Sequence, residues 1–149
     1  MNETLCHPVV VNVLNRLLRI LCRSLPRYLE HARPWSGGDD SPSRAALARL
    51  IDDLRRFAAR VAEAIVQHGG QPDPGPFPTR FAALNDVGLE YLLHQVVEGL
   101  RDDTEIVAHC AAELTIVPPL RALAEEVQGN LQGHIEVLEE IAKGKRPAS

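Results

Sequence analysis

Apolar residues recur at three- and four-residue steps along most of this chain, and those steps predict four long helices. Between about Pro8 and Arg33, one face collects Val10, Leu14, Leu17, Leu18, Leu21, Leu25, Tyr28 and Leu29, while Asn15, Arg16, Arg19, Arg23 and Arg27 take the other. Pro26 interrupts that pattern and predicts a kink, because it lacks a backbone donor and crowds the preceding turn. The next eight residues, PWSGGDDS (34–41), read as a loop. Ser41 followed by Pro42 predicts an N-cap and a first helical proline. A second stripe follows over 42–68 with Leu47, Leu50, Ile51, Leu54, Phe57, Ala58, Val61, Ala62 and Ile65. Gly69-Gly70 is expected to end it in a left-handed cap.

The run QPDPGPFPTR (71–80) has neither a helical nor a strand pattern. With its neighbours it forms a connection over 69–84 that is too long for a tight helix–helix turn, and its length suits a crossover along a bundle. A third helix is expected over 85–114, capped near Asn85 and carrying Leu89, Leu92, Leu93, Val96, Val97, Leu100, Val107 and Ala111. A fourth, over 119–142, places Leu120, Leu123, Val127, Leu131, His134, Ile135, Leu138 and Ile141 inward. Two helices, a long link and two more helices predict an all-α fold of ferritin-like topology, in which two helical hairpins share one long crossover.

Composition narrows this further. A chain of 149 residues is expected to form a single domain, 1–149. Aromatic residues make up only 4%, so Leu, Val, Ile and Ala must fill the core, as in helical bundles. A formal charge of -4 with both signs interspersed argues against binding nucleic acid through its backbone. The cysteines Cys6, Cys22 and Cys110 have no paired spacing and are expected to be reduced, apolar residues. Asn15, Arg16 and Arg19 break the early apolar run, so no signal peptide is expected. No stretch is apolar for the ~20 residues that a membrane span needs, and the expected location is cytoplasmic.

Three runs resemble bacterioferritins and their ferritin-like relatives. LNRLLRILCRSLPRYLEHAR (14–33) resembles the family's first helix, FAARVAEAIVQHGGQP (57–72) the end of the second and its turn, and GHIEVLEEI (133–141) the close of the fourth. Members with an active centre hold two irons on a Glu from each of two helices and a Glu-x-x-His from each of the other two. Carboxylates bridge and neutralise the ions, imidazoles complete them, and the i, i+3 spacing puts both ligands on one face.

This chain contains no Glu-x-x-His. The resemblance places the six ligand positions on Leu21, on Leu54 and Phe57, near Leu93, and on Leu131 and His134. Five of them are apolar and lie inside the stripes named above. The resemblance therefore implies a ferritin-like protein that has lost its ferroxidase centre, has no cofactor, and acts as a binding or structural module rather than an enzyme. The sole methionine is Met1, so the family's bis-methionine haem site is not expected. The ending KGKRPAS lacks the short fifth helix of storage cages, and a homodimer packed along the first two helices is expected instead of a shell.

Alternative chemistry centres on the third helix. Glu90, His94, Glu98 and Asp102 stand one turn apart, as do Glu105 and His109. Such pairs chelate zinc or iron, and they also occur on solvated helix faces. His134 is either a leftover ligand or a core histidine bonded to a neighbouring helix. Asp39-Asp40 and Asp102-Asp103 read as caps and surface charges, because no calcium-loop spacing surrounds them. Trp35 is a plug at the bundle end or an anchor for a protein partner, and an apolar ligand between the helices stays open.

Overall fold

The computed structural model describes residues 7–32, 42–84 and 88–144. Ser41, Asn85, Trp35 and Asp39-Asp40, singled out above, lie outside them, as does Cys6. Among the described residues there is no strand. The helices are α1 (Pro8–Arg23), α2 (Leu25–Ala32), α3 (Pro42–Gln67), α4 (Leu89–Glu113) and α5 (Pro118–Gly144), and a 3₁₀ turn spans Thr79–Leu84. α4 packs most extensively on α5, and α1 on α3. α3 also meets α5, α1 meets α4, and α2 packs on both α3 and α4. No described helix is long and apolar enough to cross a membrane.

The expected first helix is two. The chain turns extended at Ser24 (ψ 166°) and restarts at Leu25, so Pro26 falls in the first turn of α2, where a missing donor costs nothing. Two arginines satisfy carbonyls freed by the break: Arg27 Nη1 donates to Leu21 O and Arg23 Nη1 to Cys22 O, both at 3.1 Å. The third expected helix starts later, at Leu89 with Gly88 as its N-cap residue.

Gly69 ends α3 as expected, at φ 83°. The Gly70 N–H reaches Ile65 O at 2.9 Å and the Gly69 N–H reaches Val66 O at 3.0 Å, the paired bonds of a Schellman cap. Gly70 matters for a second reason. A Cβ there would stand 2.5 and 2.7 Å from the two methyls of Val11, a side chain stiff at χ1. Gly70→Ala is expected to destabilise the fold by roughly 1–3 kcal/mol. Urea unfolding should also show Val11→Ala recovering part of that loss in the double variant.

The crossover follows a defined course. Asn15 Nδ2 donates to Gln71 O at 3.1 Å while its Oδ1 accepts from the Asp73 N–H at 2.7 Å. One turn on, Arg19 Nε donates to Pro74 O, and one turn further Arg23 Nε donates to Gly75 O. The Arg23 guanidinium lies 4.8 Å over Phe77, whose ring meets Tyr28 edge-on at 5.6 Å. Phe81, buried in the 3₁₀ turn, packs 5.5 Å from the same tyrosine. On the polar face of α1, Asn15, Arg19 and Arg23 therefore form a ladder that satisfies the carbonyls of a proline-rich strap.

Candidate functional site

Family-type iron chemistry would require carboxylates at the centre of the fold. Leu21, Leu54 and Leu131 are fully buried there, Leu93 is 2% exposed and Phe57 7% exposed, all within one hydrophobic cluster. Hydrocarbon at these positions offers no lone pair to a cation. Among the described residues, no three His, Cys, Asp or Glu side chains gather as a metal site needs. Hydrocarbon at these five positions does not fit a di-iron centre.

His134 is the polar exception, and it is already engaged. It projects from α5, half-buried, with Nε2 2.7 Å from Asp53 Oδ2 on α3. The same oxygen accepts from Asn130 Nδ2 at 2.9 Å, and Arg56 pairs with the other carboxylate oxygen. Burial, and next the positive charge of Arg49, hold the imidazole below its ordinary pKa. With the Asp53 charge already compensated by Arg56, a neutral imidazole donating Nε2–H completes the cluster. Of the second expectation above, the bond to a neighbouring helix is present, on a histidine that is half-buried. Asp53 escaped notice in the sequence because, beside Asp52, it looks like ordinary surface charge. Its place one residue before Leu54, on the edge of the inner stripe, was the available signal. Asp53→Ala strands the Asn130 amide and the imidazole, and is expected to cost about 1–3 kcal/mol in urea unfolding.

Asp103, expected at the surface, is half-buried. It continues the inward face of α4, seven residues after Val96 and seven before Cys110, both fully buried. Burial pushes its pKa up to about 7, Asp102 raises it further, and Arg80 on the 3₁₀ turn partly opposes the rise. Asp102 itself is exposed, as expected.

The candidates on α4 share one face of that helix, and among the described residues none of them belongs to a group of three or more possible ligands. His94, Glu98, Glu105 and His109 are all exposed along its outer face, and the side chain of Glu90 is not described. Cys110 is fully buried, 3.7 Å from Arg16 Nη2, and burial raises its thiol pKa, so it is no activated nucleophile.

The charges are also less interspersed than expected. Residues 8–67 hold ten arginines against six carboxylates, whereas 89–144 hold eleven carboxylates against three cations. The two parts are tied by bidentate pairs on separate seams. Arg16 grips Glu113 at 3.1 and 3.3 Å between α1 and α4, and Arg60 grips Glu126 at 3.0 and 3.1 Å between α3 and α5. Each arginine holds its glutamate below the usual carboxylate range. Pairs this exposed add little stability, but their fork geometry fixes which faces meet.

Comparison with models of protein families, with curated proteins and with solved structures gave no match.

Proposed function

We propose that this chain is a ferritin-like four-helix bundle that has given up its di-iron centre and works by binding a partner rather than by catalysis. In this reading α1 and α2 together form one leg of the bundle, α3, α4 and α5 the others, and the strap is the long crossover. The packing of α1 on α3, of α4 on α5, and of these pairs on each other supports that topology. One observation carries the functional part: five of the six positions where the family's ligands would stand are buried hydrocarbon, and the sixth, His134, is bonded to Asp53. A buried carboxylate without its metal costs several kcal/mol, so filling the centre with Leu and Phe stabilises the fold while removing redox chemistry.

Anaerobic incubation with Fe(II), followed by elemental analysis and exposure to air, tests the reading. The expected result is far less than one iron per chain and no burst of oxidation. Two tightly held irons that oxidise rapidly would overturn it. One ion per chain, lost in Glu105→Ala or His109→Ala, would instead establish a metal site on the outer face of α4.

A further inference from the structure

The acidic half of the molecule carries a groove. It runs between α4 and α5, holds about 350 Å³, and is lined by Arg101, Thr104, Glu105, Ala108, Gln128, Gln132 and Ile135. Exposed carboxylates line both helices beyond it, Glu98 and Asp102 on α4, Glu136 and Glu140 on α5. None of these four makes an ion pair among the described residues, and Glu105 makes none either. Of the three cations on these helices, Arg101, itself at the groove, pairs with Glu139 and Arg121 with Glu125, while Lys143 stands in the last turn of α5. On α5, Gly129 and Gly133 are exposed, with nothing within 4 Å of where a Cβ would stand.

We propose that the α4–α5 groove docks a cationic amphipathic helix of another protein, its apolar side on Ala108 and Ile135 and its Lys or Arg residues against the flanking glutamates. The inference rests on reading the chain as a binding module and names the chemistry of what it binds. Charge complementarity selects the partner: surplus negative charge repels nucleic acid and anionic lipid and attracts a basic segment. A trough between two helices accepts a third helix whose side-chain ridge fills it. A second copy of this chain is a poor occupant. Three of the five arginines on its α3 are spent, Arg55 on Glu30, Arg56 on Asp53 and Arg60 on Glu126, and exposed Asp52 and Glu63 share that helix with exposed Arg49.

Fluorescence anisotropy with a labelled Lys/Leu model peptide tests the proposal, using one peptide patterned as an amphipathic helix and one of the same composition scrambled. The patterned peptide should bind at least about tenfold more tightly and lose affinity as salt rises. Ala108→Trp, which fills the groove, and the pair Glu105→Lys with Glu136→Lys should each weaken binding by about tenfold or more. Glu63→Lys on α3 should leave it unchanged, and circular dichroism verifies that every variant is folded. Equal binding of both peptides would reduce the effect to bulk charge and overturn the proposal. So would an Ala108→Trp variant that binds normally, or self-association of the chain that excludes the peptide. Failure here leaves the iron result untouched, so the two readings stand or fall separately.

Discussion

Replacing Asp103 by Asn is expected to raise the thermal midpoint at about pH 8 by several degrees, and to flatten the dependence of stability on pH. In the folded chain the carboxyl titrates at about 7 rather than near 3.8. Between those values the folded state keeps a proton that the unfolded chain has released, so raising the pH favours unfolding. The loss accumulates from about pH 4 to about pH 7 and is complete above that. A carboxyl displaced this far destabilises the fold by about 4 kcal/mol at most, and each kcal/mol moves the midpoint of a chain this long by roughly 2–4 °C. At about pH 5 less than half of the difference between wild type and Asp103→Asn should remain. Thermal melts of both proteins at the two pH values measure it directly. An equal gap at both would mean that Asp103 ionises normally and that any gain comes from packing alone.

Leu21→Glu should have the larger effect and the opposite direction. Leu21 is fully buried among hydrocarbon on α1, so the new carboxylate would have neither water nor a counter-ion. Several kcal/mol of desolvation, added to the lost packing, is expected to leave the variant largely unfolded at neutral pH. Circular dichroism would show the loss of helix, with recovery toward acid as the carboxyl takes up a proton. Leu21→Ala separates the two costs, since it removes packing alone and is expected to lose about 2–5 kcal/mol. If Leu21→Glu melts no lower than Leu21→Ala, this position still tolerates charge, and the account of an abandoned centre loses its energetic basis.

What could be read from the residues follows from which interactions leave a periodic trace. The inward stripes of α1, α3, α4 and α5 were legible because burial repeats every three or four residues, and Gly69 because a left-handed cap favours one residue type. Leu21, Leu54, Phe57, Leu93 and Leu131 fell in those stripes, and all are buried. Asp53 and Asp103 were not legible as half-buried groups, because each sits beside another aspartate and the pair looks like solvated charge. Only projection onto the helix wheel separates the inward member from the outward one. The ladder of Asn15, Arg19 and Arg23 left no trace of its partners either. Its turn-by-turn spacing is equally that of a wet face, and the carbonyls it serves stand more than fifty residues away in sequence.

That ladder has a consequence for how copies of this chain avoid becoming entangled. A long tether between two helical pairs is the usual route by which one molecule lends half of itself to another, each completing its neighbour's core. Here the tether is fastened along α1 and α2 of its own molecule, by Asn15, Arg19 and Arg23 at one end and by the packing of Tyr28 against Phe77 and Phe81 at the other. The later helices are thereby delivered back to the surface from which the tether departs, and exchange between molecules has to undo those fastenings first.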